Sequence, residues 1–266
     1  MMRLLGTAAG GGAPQWNCAC VQCRRMREAG SQRLQECAIV SGDGHTWYLI
    51  NVSPDIRTQI LRTPELTPGP GRRDTPLRGV ILTDAELDHT AGLLSLREAA
   101  SLDVYATETV LSATRSIAQI VSAYGDGWRW HTLRQGEPMA LEGGLEATPF
   151  PLGPKRPRYA ANCDGEDWVS GLRLRAERTI VYAPCFPQWP QALDEALQDA
   201  DIAIIDGTFH TADEMPQVRG HLPIVESLPQ LARHPLVTFR YTHINNTNPL
   251  LADPKDVPLA SEMELL

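Results

Sequence analysis

The sequence lacks the features of a membrane-spanning protein and of a nucleic-acid-binding protein. No apolar run approaches the roughly 20 residues that cross a bilayer, and glycine interrupts the apolar start M-M-R-L-L too early for a secretion signal. The formal net charge is -8, and the chain mostly lacks the clustered lysine and arginine that neutralise phosphates. These absences predict a cytoplasmic protein that binds neither a membrane nor nucleic acid.

Length and composition predict one globular domain. The chain has 266 residues, and 42% of them are hydrophobic, which suits a single α/β domain over residues 1–266. Helical segments lie among two sets of apolar strands, an order that favours a layered α/β sandwich over a strictly alternating doubly wound sheet. The predicted strands are 2–7, 47–52, 77–82, 179–183, 203–206 and 236–243, and the predicted helices are one capped by Ser53, 91–100, 108–123, 190–199 and 224–234.

Residues of types that commonly bind metals, aspartate and histidine, follow three of the predicted strands. Asp88 and His89 lie in the turn after strand 77–82, Asp206 ends the run A-I-I-D, and His243 ends the run L-V-T-F-R-Y-T-H. In a sheet covered by helices, sites gather at strand ends, so distant residues converge there. Asp88, His89, Asp206 and His243 are therefore predicted to form one metal centre. The alternative is that Asp88 caps a helix and His89 lies on the surface.

A second metal site is predicted from cysteine spacing. Three of the six cysteines form C-A-C-V-Q-C, which places Cys18, Cys20 and Cys23 within six positions. A tight loop with this spacing wraps three corners of a tetrahedron around a structural zinc ion, and the fourth ligand comes from elsewhere in the chain. The alternative is a surface loop of free cysteines. The scattered cysteines, Cys37, Cys163 and Cys185, are interpreted as small buried residues.

Two loops have compositions that bear on function. The glycine-rich loop 8–14 lacks the Lys-Ser/Thr ending of a phosphate-binding loop, so its glycines are interpreted as permitting close backbone packing. Segment 151–168 is rich in proline and charge, and we interpret it as a mobile loop that can act as a lid.

Six sequence segments, spread over nearly the whole chain, carry a family resemblance. They are G-T-A-A-G-G-G-A-P-Q-W-N-C-A-C-V-Q-C (6–23), N-V-S-P-D-I-R-T-Q-I (51–60), G-V-I-L-T-D-A-E-L-D-H-T-A-G-L-L-S-L-R-E (79–98), I-D-G-T (205–208), G-H-L (220–222) and H-I-N-N-T-N-P (243–249). With these segments the chain resembles the pyrroloquinoline quinone biosynthesis protein B family, a branch of the metallo-β-lactamase fold. The resemblance implies an αββα four-layer sandwich.

The resemblance also implies a single ion at the predicted metal centre. The superfamily signature H-x-H-x-D-H reads D-A-E-L-D-H here, so Asp84 and Glu86 stand where two first-metal histidines normally lie. Asp88 and His89 retain the second-metal pair, while Asp206 and His243 match the bridging acid and the final histidine. Replacing imidazoles by carboxylates makes the pocket richer in oxygen and shifts its preference from zinc toward iron or manganese.

The activity that the resemblance implies is iron(II)-dependent hydroxylation of a Glu-Tyr-derived peptide intermediate by dioxygen. Asp84 and Glu86 are then groups that support the ligands or act as general bases, with simple loop hydrogen bonding as the alternative. His221 of G-H-L is assigned proton transfer over a core role. Asn246, three residues after the final histidine, is the candidate fourth zinc ligand, with water or another side chain as the alternative. The expected cofactors are Fe(II) and structural Zn(II).

Expected partners are the peptide, dioxygen and other enzymes of the quinone pathway, with a homodimer as one assembly left open. Two other functions stay open as well: a metal-dependent hydrolase like most of the superfamily, and a non-catalytic carrier of the finished quinone.

The chain also departs from the family. Segments 155–178 and 251–266 look shorter than usual, and A-P-C-F stands at 183–186 where A-P-G is more common, so the peptide substrate is open too.

Overall fold

Two six-stranded sheets form the frame of the molecule within residues 1–218 and 220–266, the part of the chain that this computed structural model describes. In the first sheet, β1 to β3 are antiparallel neighbours and β3 to β6 run parallel. Its strands, in spatial order, are β1 (Met2–Gly6), β2 (Cys37–Val40), β3 (Trp47–Ile50), β4 (Leu77–Ile81), β5 (Leu102–Thr107) and β6 (Trp128–Leu133).

The second sheet has the spatial order β12-β11-β10-β9-β8-β7. Strands β10, β11 and β12 run parallel, and the remaining neighbours pair antiparallel. Its strands are β7 (Met139–Leu141), β8 (Leu145–Gly153), β9 (Val169–Arg175), β10 (Thr179–Ala183), β11 (Ile202–Asp206) and β12 (Thr238–Thr242).

The helices are short and join the strands of each sheet. The α-helices of the described residues are α1 (Val21–Glu28), α2 (Ile56–Leu61), α3 (Leu87–Thr90), α4 (Glu108–Ala113), α5 (Arg115–Ser122), α6 (Gln191–Ala196) and α7 (Ile224–Leu231). Single 3-10 turns lie at Pro64–Leu66, Ala91–Leu96, Glu142–Gly144, Arg158–Ala160 and Pro249–Leu251. None of the helices in this part of the chain has the length and apolar character needed to cross a membrane.

Alternation along the buried strands explains the layers. In β10, Ile180 and Tyr182 point into the core between the two sheets, while Val181 and Ala183 point into the core under α6 and α7. A strand with apolar residues on both faces is buried on both faces. A third apolar cluster fills the space between the first sheet and helices α2 and α4. The predicted αββα four-layer sandwich is confirmed.

Most predicted elements are present, and four differ in detail. The helix predicted to be capped by Ser53 begins at Ile56, three residues later, and the Ser53 hydroxyl accepts from the Asp55 amide and donates to the side chain of Gln59 ahead of that helix. The predicted helix 91–100 is a 3-10 turn over Ala91–Leu96. The predicted helix 108–123 breaks at Thr114, whose hydroxyl donates to the Val110 carbonyl. The predicted loop 151–168 begins as strand, since β8 continues to Gly153.

The close packing of the core between the two sheets predicts how much stability the protein loses when a cavity is made there. Replacing Leu172, which is fully buried in that core, by alanine is expected to lower the free energy of unfolding by about 2–5 kcal/mol. The matched control is Leu236→Ala, because the Leu236 side chain is 93% exposed and surface changes stay within about 0.5 kcal/mol. Urea unfolding followed by circular dichroism measures both. Equal losses for the two variants would contradict this core.

Candidate metal centre

Strand ends from both sheets meet at one side of the sandwich. Strand β4 is followed by α3, which carries Asp88 and His89, β11 ends on Asp206, and His243 directly follows β12. Each strand is held by neighbours on its sheet, so the side chains that leave its end have little freedom to move away. The chain thus brings residues more than 150 positions apart into contact, as the 3.3 Å between Asp88 Oδ2 and His243 Nε2 shows.

Asp88, His89 and His243 form a compact group of metal-binding side chains. Their ligand atoms all lie within 4.8 Å of one another, with Asp88 Oδ2 at 4.0 Å from His89 Nε2. His89 is 1% exposed, which excludes the alternative of a surface histidine. Its Nε2 atom is buried and forms no hydrogen bond of good geometry with the described residues, although Glu36 Oε2 lies 3.2 Å away. A buried nitrogen without a partner is costly, and a cation bound by this trio would satisfy it. The donor set fits a divalent transition metal.

Asp84 fixes the orientation of the His89 ring. His89 Nδ1 lies 2.8 Å from Asp84 Oδ2 and 2.9 Å from Asp84 Oδ1, so Nδ1 carries the proton and donates it. Burial favours a neutral Asp84, but the charge and hydrogen bond of His89 outweigh it and lower the pKa of Asp84. Burial likewise opposes the charge on His89, yet Asp84, Asp88 and Glu36 raise the pKa of His89 to about 10. The carboxylate therefore directs Nε2 toward a metal, which on binding would displace the proton that Nε2 carries in the metal-free protein.

His243 is positioned by its backbone and by Thr208. Its φ of 58° is in the left-handed region, which costs free energy for a residue with a side chain and is tolerated where the surroundings impose it. His243 Nδ1 donates to Thr208 Oγ1 at 2.8 Å, and Thr208 Oγ1 donates to Asp206 Oδ1 at 2.7 Å. This chain of hydrogen bonds directs His243 Nε2 toward Asp88. Thr208 lies within the I-D-G-T segment, although its own role was not predicted.

Asp206 belongs to a neighbouring group rather than to the trio. Its carboxylate accepts hydrogen bonds from the Phe186 amide at 3.1 Å, the Thr208 amide at 3.0 Å and His221 Nδ1 at 2.8 Å. Together with Cys185 and His221, Asp206 forms a second set of metal-binding side chains, whose ligand atoms lie within 4.8 Å of one another. The structure thus brings together three of the four predicted ligands, and a direct bond from Asp206 to the metal stays a prediction.

His221 lies beside the trio but has both ring nitrogens engaged. Its ring stacks on that of His243, with centroids 5.2 Å apart. Nδ1 donates to Asp206, and Nε2 accepts from Lys155 Nζ at 3.0 Å. Burial lowers the pKa of His221, and the nearby ammonium of Lys155 adds to that effect against the attraction of Asp206. The predicted proton transfer by His221 stays a prediction.

Glu36 is a buried carboxylate that the sequence did not single out. Its side chain is fully buried, and Oε2 lies 3.2 Å from His89 Nε2. Asn51 Nδ2 donates to Glu36 Oε2 at 2.8 Å, and the Tyr182 hydroxyl donates to Oε1. Burial raises the pKa of Glu36. An acid directly before the apolar strand β2 was the available signal, since buried acids are rare without a partner.

A cleft of about 540 Å³ opens next to Asp88. Its size is typical of sites that hold small ligands. The lining residues are Gly10, Gly11, Gln35, Pro54, Glu86, Leu87, Asp88, Ala91, Arg158 and Tyr159. Glu86 faces the cleft and is 27% exposed, and burial raises its pKa. Asp84, by contrast, is buried and bonded to His89, so Asp84 and Glu86 have different surroundings.

Two loops form the walls of this cleft. A Cβ atom on Gly10 would lie 3.0 Å from Asp88 Oδ2, and one on Gly12 would lie 3.3 Å from the Arg33 carbonyl oxygen, so these glycines permit close packing, and at Gly10 the loop packs against Asp88. On the other wall, the Tyr159 hydroxyl donates to the Ala85 carbonyl. This contact ties the proline-rich segment after β8 to the turn that carries Asp88.

The three clustered cysteines also come together. Cys18, Cys20 and Cys23 have their sulfur atoms within 4.8 Å of one another. Cys20 caps α1, where its sulfur accepts from the Cys23 amide. Asn246 contacts the cluster through Nδ2, which lies 3.3 Å from Cys23 Sγ and 3.8 Å from Cys20 Sγ. An amide nitrogen donates to a thiolate and does not bind zinc, so in this geometry Asn246 supports the sulfurs, and its role as a fourth ligand stays a prediction.

The interpretation of the three scattered cysteines is correct for two of them. Cys37 and Cys185 are buried, but Cys163 is exposed. Cys163 lies in the charged segment N-C-D-G-E-D, where neighbouring polar residues keep the chain in solvent. Cys185 is buried but also belongs to the second set, with Asp206 and His221.

Loss of the carboxylate that orients His89 is expected to weaken metal binding. Asp84→Asn keeps the shape but removes the negative charge, so affinity for zinc(II) should fall about 10- to 100-fold. Competition with a chromogenic chelator measures it. The control is Asp103→Asn, because Asp103 pairs with Arg129 and His131 on another face. Unchanged affinity in Asp84→Asn would refute this role.

Cys23 is expected to be required for a second bound ion. Cys23→Ser should lose one zinc per chain and unfold at lower temperature, because the ion ties the loop before α1 to the Asn246 segment. Metal analysis and thermal denaturation measure the two effects. Cys163→Ser is the control, and an equal zinc content in both variants would contradict the prediction.

Comparison with known proteins identifies the family. The beta-lactamase superfamily domain matches residues 46–244. The coenzyme PQQ synthesis protein B of Nitrosococcus oceani is 37% identical over 94% of this chain and 91% of that protein, and the one of Pseudomonas paraeruginosa is 37% identical with the same coverage.

Solved structures agree in fold. The Zn²⁺-bound PqqB of Methylobacterium extorquens superposes with a TM-score of 0.86 at 31% identity, covering 96% of this chain and 92% of that one. A diphosphatase of the PhnP family shares the fold, with a TM-score of 0.76 at 21% identity and coverage of 99% and 94%. The chain therefore belongs to the coenzyme PQQ synthesis protein B family, within the beta-lactamase superfamily.

Proposed function

We propose that this protein is an iron(II)-dependent hydroxylase that uses dioxygen to oxygenate the tyrosine ring of a peptide intermediate in pyrroloquinoline quinone synthesis. The observation that carries the proposal is the trio Asp88, His89 and His243 beside the cleft. Two imidazoles and one carboxylate on one face are the ligand set of iron(II) oxygenases. The names of the relatives support the pathway, and the resemblance stated above supports the reaction.

Iron(II) on such a face supplies dioxygen activation when it is bound. The overall reaction consumes one dioxygen, two electrons and two protons, and an external reductant such as ascorbate provides the electrons. One oxygen atom replaces a ring hydrogen as a hydroxyl group, and the other leaves as water. The metal-binding residues are not consumed.

The chain's contribution to the metal site is preorganisation. The Asp84 carboxylate accepts a hydrogen bond from His89 Nδ1, and the Thr208 hydroxyl accepts one from His243 Nδ1. Both rings therefore present Nε2, and neither has to rotate when the ion binds. A site held this way loses little entropy on binding and keeps its geometry through turnover.

The cleft is suited to the phenol ring and the acidic groups of a short peptide. Leu87 and Pro54 give it apolar walls, and Arg158 at the rim offers a cation to a peptide carboxylate. Glu86 faces the same space. Burial raises the pKa of Glu86 toward the range in which a carboxylate accepts a proton effectively. We therefore assign deprotonation of the phenol to Glu86, and orientation of His89 to Asp84.

A direct assay tests the reaction. Protein purified without air, loaded with iron(II) and given a Glu-Tyr peptide and ascorbate is expected to consume dioxygen and add one oxygen atom to the peptide. An oxygen electrode measures the consumption of dioxygen, and mass spectrometry measures the oxygen atom added to the peptide. Asp88→Asn should lower the rate by at least about 100-fold, because a ligand is lost, and Asp103→Asn should not change it.

Two outcomes would overturn the proposal in favour of the other functions. Turnover of phosphodiesters or thioesters by the zinc form, without dioxygen, would support a hydrolase. Tight binding of the finished quinone that persists in Asp88→Asn, with no hydroxylated product from the native protein, would support a carrier.

A further inference from the structure

A second set of metal-binding side chains lies directly beside the trio. Cys185, Asp206 and His221 each offer a ligand atom, and these atoms lie within 4.8 Å of one another. Cys185 and Asp206 are buried, with exposures of 1% and 0%. A thiolate, a carboxylate and an imidazole at this spacing are a donor set that zinc accepts. The ring stacking of His221 on His243 makes the two sets contiguous.

The ammonium group of Lys155 occupies the space between these donors and Glu86. Lys155 Nζ lies 3.0 Å from His221 Nε2, 3.5 Å from Cys185 Sγ and 3.6 Å from Glu86 Oε1. The sequence contains only two lysines. The other, Lys255, is exposed, so one of the two lysines of the chain has its charge directed into the site.

The backbone makes room for the Lys155 side chain. Gly220 has a φ of +109°, and a Cβ atom there would lie 2.5 Å from Lys155 Cδ. Only a residue without a side chain lets the lysine stem pass this point without displacement. Gly220 directly precedes His221, so the same turn presents the imidazole and admits the cation that contacts it.

We propose that Lys155 replaces a metal ion at the second set and keeps the centre mononuclear. Its ammonium donates to the His221 Nε2 lone pair that a metal would need, and its charge repels a further cation. It also offsets the negative charge of Glu86, so the second set is stable without an ion. A site with one ion differs from the paired ions that clamp both oxygens in many hydrolases.

Removal of the lysine charge is expected to open the second set to a metal. Lys155→Met keeps most of the stem length and removes the ammonium, so after equilibration with zinc(II) and removal of free ion it should hold one more zinc per chain than the native protein. Lys155→Arg keeps the positive charge and should hold the native number. The double variant Lys155→Met/Cys185→Ser should return to the native number, because it lacks the thiolate.

A spectroscopic readout identifies the ligands of the added ion. Cobalt(II) bound by a thiolate gives a sulfur-to-cobalt charge-transfer band. With the Cys18, Cys20 and Cys23 cluster filled by zinc beforehand, Lys155→Met should develop this band, and the double variant should not. Lys155→Gln serves as the second uncharged variant if Lys155→Met fails to fold, as judged by circular dichroism.

An unchanged metal count in folded Lys155→Met or Lys155→Gln would overturn the inference, as would a native protein that already holds the additional zinc. These counts involve neither dioxygen nor peptide. Failure of the hydroxylation assay therefore leaves this inference standing, and failure here leaves the hydroxylation assay to be judged by its own result.

Discussion

The hydrogen bond between Asp84 and His89 is the constraint on which the metal centre depends. It is short, at 2.8 Å, and both partners are almost fully excluded from solvent. Breaking it would leave a buried charge without a partner, which is among the costliest events in a protein interior. The bond sets which nitrogen of His89 is free, and that nitrogen determines where an ion can lie. Strand β4 and the turn after it carry both residues, so the fold fixes the pair locally.

Around this pair, each remaining ligand is held by a different element. Thr208, after β11, orients His243, after β12, and the left-handed backbone of His243 turns its ring toward Asp88. Gly10, after β1, packs on Asp88. The cysteine loop follows the glycine-rich loop and contacts Asn246, three residues beyond His243. A structural ion at the cysteines would therefore stabilise the same backbone that positions the metal centre.

The distribution of cations distinguishes the two ligand sets. Within the described residues, only the carboxylate of Glu36 comes near His89 Nε2 in the trio, whereas the set of Cys185, Asp206 and His221 has an ammonium against it. Negative charge is concentrated in Asp84, Glu86, Asp88 and Asp206, and it needs compensation wherever no metal binds. Lys155 supplies that compensation on one side, which is the physical basis of our proposal that this centre holds a single ion.

Prediction from sequence succeeded where local pattern carries the information. Strands β4, β11 and β12 have apolar runs of strand length, and their ends located Asp88 and His89, Asp206 and His243. The helices were predicted less well, because tertiary contacts break or shorten them, as at Thr114. Glu36 and Lys155 were missed because sequence neighbours do not reveal the distant partners of a buried charge, even though Glu36 directly precedes the apolar strand β2. Their partners, His89 and His221, are 53 and 66 positions away, so burial arises only when the sheets pack.

The sequence by itself determined a layered α/β sandwich, the ligand types at the strand ends and the three clustered sulfurs, because these follow from periodicity and spacing, and the family resemblance implied the four layers. The tertiary structure decided how those ligands divide. It joined Asp88 and His89 to His243, paired Asp206 with His221, and placed the Lys155 charge between the second set and Glu86. The physical reason is that ligand atoms must approach to within a few ångströms, and only packing of the two sheets fixes distances between strand ends at that precision.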